Sequence, residues 1–145
     1  MSEAVFMHQA SAVAIAGRAV LIEGPPGSGK SSLALALIDR GAVLIGDDAV
    51  SLAASNGGLL ASPPPNIAGL IEVRNVGLLR RPTADQLPVA LVLRLDENAP
   101  RFIDRAEVIA LGGVTVPLVR LWPAATALPL RAEAAVELHG LPLTP

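Results

Sequence analysis

Residues 24–31 read Gly24-Pro25-Pro26-Gly27-Ser28-Gly29-Lys30-Ser31, and this P-loop pattern constrains the fold more than anything else in the chain. A strand must end just before it and a helix must begin at it. The flanks meet both conditions. Ala19 to Glu23 is an apolar run of strand character, while Ser31 to Arg40 carries Leu33, Ala34, Leu37 and Ile38 at helical spacing, with Gly41 as its stop. In that setting each residue type has a task. Glycines permit the conformations that turn successive N–H groups inward, and the helix N-terminus adds a dipole that favours an anion. Lys30 supplies a point charge to the β and γ phosphates of a nucleotide, and Ser31 places its hydroxyl on Mg2+. Residues Gly24, Pro25, Pro26, Gly27, Ser28, Gly29, Lys30, Ser31 and Ser32 are therefore the candidate nucleotide-binding set. ATP and Mg2+ are the expected cofactors. The bland alternative is a glycine-rich turn that only caps a helix.

After the helix comes Ala42 to Ile45, a short buried-strand pattern, and then Gly46-Asp47-Asp48. Strand, loop, helix and strand make a βαβ unit. Its crossover is expected to return the chain beside the P-loop strand in a parallel sheet, where ligands bind outside the carboxyl ends of the strands. Asp47 and Asp48 then face the phosphates. Neighbouring residues on an extended chain point oppositely, so one is expected to hold Mg2+ and the other to accept a proton from an attacking hydroxyl. A solvated acidic turn is the alternative. Further on, period two puts Glu72 and Arg74 on one face of the run Ile71 to Gly77, either in a cleft that takes metal and phosphate or out in solvent. His8 lies in an apolar run, and by spacing alone it is a core or surface histidine as readily as a catalytic one. Arg101, Arg105 and Arg120 are scattered phosphate-clamp candidates among which spacing does not choose.

The rest of the chain reads as short strands with turn punctuation: Val5 to His8, Ala12 to Ala16, Ala49 to Ala53, Leu59 to Ala61, Leu70 to Val73, Val89 to Leu95, Glu107 to Leu111 and Val114 to Val119. Pro123 to Leu130 is ambiguous, and Arg131 to His139 reads as a closing helix stopped by Gly140. The expectation is one α/β domain over residues 1–145, rich in strands and poor in helices. Aromatic residues are 2% of the 145 and the net charge is -2, which leaves little for base stacking or phosphate-backbone neutralisation, so nucleic acid is not an expected partner. There is no cysteine, and hence no thiolate chemistry. Met1 to Phe6 carries Glu3 and lacks the pattern of a leader, and no stretch suits a spanning helix, so a cytoplasmic protein without a membrane partner is expected.

Taken together, these motifs resemble the catalytic domain of HPr kinase/phosphorylase, the bifunctional serine kinase of the bacterial phosphotransferase system. The likeness rests on the P-loop, on Asp47-Asp48 within Arg40 to Val50, and on Glu72, Arg74 and Gly77 as a Glu-x-Arg-x-x-Gly signature. It implies a P-loop kinase domain similar to phosphoenolpyruvate carboxykinase. It also implies roles: Lys30 for phosphate binding and catalysis, Ser31, Asp47 and Glu72 at the metal, and Asp48 as proton acceptor from the target serine. His8 matches an active-site histidine of the family, and Arg101 in Pro100-Arg101-Phe102 is the best match to a later catalytic arginine. The partner so implied is an HPr-like phosphocarrier, with association into homo-oligomers left open. Three departures stand out. The start of the chain near His8 is similar to the short form found in some proteobacteria. Asn75 replaces a signature glycine. The stretch tied to phosphorolysis is missing, with Val116 to Ala125 in its place, so kinase activity is expected without phosphorylase activity. Two other readings remain open: a small-molecule P-loop kinase, and an ATP-sensing regulator without turnover.

Overall fold

A computed structural model describes residues 5–143. Residues 1–4, on which the reading of an absent leader partly rests, lie outside that range. In chain order the elements are β1 (Val5–His8), β2 (Ser11–Ile15), β3 (Arg18–Glu23), α1 (Lys30–Asp39), β4 (Val43–Gly46), β5 (Val50–Ser55), β6 (Gly58–Ser62), β7 (Leu70–Val73), β8 (Gly77–Arg80), β9 (Leu87–Leu95), β10 (Glu107–Leu111), β11 (Val114–Leu121) and α2 (Leu128–His139). The result is the strand-rich α/β architecture expected.

β3 and β9 form the centre. Both are nearly continuous apolar runs, the composition of strands covered on both faces, and they pair in parallel with Leu21 opposite Val92 and Glu23 opposite Arg94. Alternation sends Val20 and Ile22 to one core and Ala19 and Leu21 to the other. Over the first face lie both helices, whose Leu33, Ala34, Leu37, Ala132 and Val136 pack with Val13, Leu91 and Leu93. Over the second face the sheet folds back on itself, and Val50, Leu52, Leu59 and Ala61 of β5 and β6 close against Leu21, Val92 and Leu118. The strand order is β1-β5-β6-β9-β3-β2-β4, with β11 added in parallel to the end of β9 and β10 paired to β11. β7 and β8 form a separate hairpin, anchored by Ile71 in the helix-side core.

Four details differ from the sequence reading. β4 runs in the direction of β3 but is not its neighbour, because β2 sits between them, antiparallel to both. A βαβ pattern fixes direction, and it leaves room for an earlier strand to fill the intervening position. β8 was not expected, since only Leu78 and Leu79 mark it in sequence and its pairing is confined to β7. α2 begins at Leu128 rather than Arg131, with Pro129 in the first turn, where its missing N–H is harmless. Gly140 caps α2 in an extended conformation instead of a left-handed one. Gly41, by contrast, ends α1 at φ 110°, with Ala42 N–H on Leu37 O (2.9 Å) and Gly41 N–H on Ile38 O (3.0 Å), the paired bonds of a Schellman stop. No helix among the described residues is long and apolar enough to cross a membrane.

Candidate functional site

β1, β3, β4 and β9 all end, and β2 begins, at one edge of the sheet, bringing His8, Ser11, Glu23, Asp47 and Arg94 around the P-loop. Gly27 and Gly29 take φ 78° and 103°, conformations that a side chain would strain, and Gly29 is also the N-cap of α1. No side chain caps that helix and no acid lies in its first turn. The N–H groups of Lys30, Ser31 and Ser32 therefore face outward without intrahelical partners, at the positive end of the dipole. Lys30 folds back on its own loop, donating from Nζ to Gly24 O (2.8 Å) and Pro25 O (3.2 Å). The buried Ser28 Oγ has no hydrogen-bond partner among the described residues.

Asp47 and Asp48 part company. Asp47 turns inward, where Oδ1 accepts from Ser31 Oγ (2.6 Å) and Ser11 Oγ (3.0 Å) and Oδ2 accepts from the Glu72 N–H (2.9 Å). Asp47 thereby links the β7–β8 hairpin, through Glu72, to Ser31 of the P-loop. Asp48 is exposed at φ 70° and lines a cavity of about 340 Å³ together with Lys30, Ser31, Ser32, Glu72 and Arg74. Glu72 and Arg74 thus share a face that looks into the cleft. The hairpin turn places Asn75 at φ 72°, a left-handed position that Asn tolerates better than most residues.

On the other side of the loop, a cavity of about 1080 Å³ is lined by His8, Glu23, Pro25, Lys30, Arg94, Asp96 and Asn98, among others. His8 donates from Nε2 to Glu23 Oε2 (2.7 Å), and Arg94 donates from Nε (3.1 Å) and Nη2 (2.7 Å) to Oε1. Burial opposes the charge on Glu23, but the hydrogen bonds and charges of His8 and Arg94 outweigh it and hold the carboxyl below its ordinary value. Arg101 is not brought to either cavity. The loop after β9 carries it into a third cleft, of about 600 Å³, with Phe102, Arg120, Trp122 and Arg131. Sequence reasoning passed over Ser11, Glu23 and Arg94. Arg94 did leave a trace, as the lone charge in the run Val89 to Leu95.

The residues present fit the groups that the motif implies. The uncapped helix end, the open space over Gly27 and Gly29, and the lysine amine suit a triphosphate. The oxygens of Ser31, Asp47 and Glu72 suit a hard cation such as Mg2+, which draws one or two carboxylates from a protein and completes its shell with phosphate and water.

Comparison with known proteins gives a consistent picture. Residues 1–83 match the family model described as HPr Serine kinase C-terminal domain. An HPr kinase/phosphorylase of Cupriavidus necator is 36% identical over 136 residues, covering 85% of this chain and 42% of that protein. One from Streptococcus thermophilus is 36% identical over 122 residues, covering 75% of this chain and 40% of that protein. The chain thus spans well under half the length of these relatives. Among solved structures, the Hpr(Ser) kinase/phosphatase from Coxiella burnetii superposes with a TM-score of 0.81 at 31% identity, covering 91% of this chain and 88% of that one.

Proposed function

The chain belongs to the HPr Serine kinase C-terminal domain family, and from that premise we propose that it transfers the γ-phosphoryl group of ATP to a serine hydroxyl of an HPr-like phosphocarrier, with Mg2+ bound. The observation that carries the reading is the 340 Å³ cavity, where the exposed Asp48 carboxylate stands in one space with Lys30, Ser31 and Glu72. Asp48 takes the proton of the serine hydroxyl as its oxygen bonds to the γ phosphorus and the bond to the β–γ bridging oxygen breaks. Lys30 and the first-turn amides stabilise the charge that gathers on the transferring group and on the departing ADP. Ser31, Asp47 and Glu72 would hold the metal, which when bound neutralises phosphate charge. Arg74 is placed to meet an anionic oxygen across the same cavity. The proposal covers the kinase direction only, since Val116 to Ala125 stands where the resemblance would have the phosphorolysis stretch.

Asp48→Asn tests it. Asn tolerates the left-handed backbone, so the substitution removes the charge without adding strain. With ATP, Mg2+ and purified HPr, intact-mass analysis should show serine phosphorylation by the wild type and a loss of about 100-fold or more in the variant, with ATP still bound. Undiminished transfer by the variant removes Asp48 as the base, and ATP binding without transfer by the wild type favours the sensor reading.

A further inference from the structure

The β7–β8 hairpin has two unlike faces. Ile71 and its register partner Leu79 turn inward, where Ile71 is fully buried in the helix-side core and Leu79 packs against that core. Directly opposed residues of an antiparallel pair lie on one face, and the next pair along lies on the other. Glu72 with Leu78, and Leu70 with Arg80, therefore face outward. Glu72 and Arg74 form one wall of the cavity that holds Asp48, so Leu78 stands on the continuation of that wall.

This outer face is apolar and basic. Leu78 is 69% exposed, and Val76, at the hairpin turn, is 82% exposed, the highest value for a large apolar side chain among the described residues. Single exposed apolar residues are ordinary, but these two are neighbours beside a cavity that a protein serine has to enter. The charges also run against the rest of the chain. Its net charge is -2, yet residues 70–81 carry three arginines, Arg74, Arg80 and Arg81, against one acid, Glu72. Among the described residues none of these three guanidinium groups is paired with a carboxylate.

We propose that the outer face of the β7–β8 hairpin is the docking surface for the protein that carries the acceptor serine, with Val76 and Leu78 taking apolar side chains next to that serine and Arg80 meeting an acidic group. The inference rests on the phosphoryl-transfer reading and deepens it. A cavity of about 340 Å³ holds a side chain and not a protein, so the surface around the serine must rest on the rim. The hairpin supplies that rim on the side of Glu72 and Arg74, with the apolar centre and arginine edge that protein interfaces favour. A hairpin that only carried Glu72 would need Ile71 and Leu79 in the core, and would gain nothing from Val76 and Leu78 in water.

The test uses the whole chain with ATP, Mg2+ and purified HPr. Val76→Ser combined with Leu78→Ser removes the apolar surface without adding charge beside Glu72, and exposed sites of this kind leave the melting temperature nearly unchanged. The KM for HPr should rise about 10-fold in this double variant, while kcat and the Kd for ATP stay within about twofold. Arg80→Gln should raise that KM less and make it less sensitive to added NaCl. With the wild-type chain labelled with 15N, a titration with HPr should shift the amide signals of Val76, Gly77 and Leu78. An unchanged KM in the double variant, or shifts that spare the hairpin, overturns the inference and leaves the kinase reading intact. Loss of self-association in the double variant, seen by sedimentation, with an unchanged KM assigns the face to a second copy of the chain instead. Should the double variant not fold, the amide shifts and the kinetics of Arg80→Gln decide it. A wild type that binds HPr through the hairpin but transfers nothing removes the kinase reading and keeps the docking surface, and one that neither binds nor phosphorylates HPr overturns both.

Discussion

Asp47 illustrates how the site is organised at the residue scale. Its carboxylate accepts two hydroxyl donors and one amide, and of these Ser11 is the one that neither belongs to the P-loop nor shares the cavity with Asp48. Ser11 is fully buried, so its hydroxyl serves Asp47 and nothing in solvent. Ser11→Ala should lower stability by about 1.5–3 kcal/mol, the range for a hydrogen bond to a charged group, and should raise the Mg2+ concentration needed for half-maximal transfer. Urea unfolding and a Mg2+ titration read the two effects, and an unchanged metal requirement would leave Ser11 a purely structural residue. Motif residues were legible because their chemistry is tied to local spacing. Ser11 and Glu23 were not, because each is an ordinary strand residue until folding gives it a partner 36 or 15 positions away.

At the scale of elements, α1 matters most, since its N-terminus is the anion site and its apolar face holds it on the sheet. Leu33, Ala34 and Leu37 are buried against Val13, Val20 and Ile71. Leu37→Ala should cost about 2–5 kcal/mol, the range for emptying a core leucine site, read as a lower urea midpoint with an unchanged slope. A loss below about 1 kcal/mol would mean that α1 is not fixed to the sheet by this face. The helix was legible to within a residue at each end, because period, glycine stop and P-loop all agree. β8 was not, because two leucines between Gly77 and Arg80 carry no period. The onset of α2 was obscured by Pro129, which reads as a breaker unless it is known to lie in a first turn.

For the whole molecule, the ion pairs at the sheet edge couple fold stability to pH. Glu23 has a folded value below its ordinary 4.5, so its contribution is present above that value and is lost as pH falls through it toward the folded one. The melting temperature should therefore drop from about pH 5 downward, and Glu23→Gln, which has no proton to take up, should flatten that limb in a melting series. Equal slopes in both proteins would mean that the partners of Glu23 contribute no linkage. The sequence by itself determined the P-loop, its strand and helix, the paired acids, the strand-rich plan and the family, since each depends on residues close together in the chain. Tertiary structure alone decided that β2 separates β3 from β4, that Arg94 rather than Arg101 stands at the P-loop, and that Glu23 joins His8 to Arg94. The physical reason is that sheet order and loop direction are set by which apolar faces pack best across the whole core, a property that no local window of sequence contains.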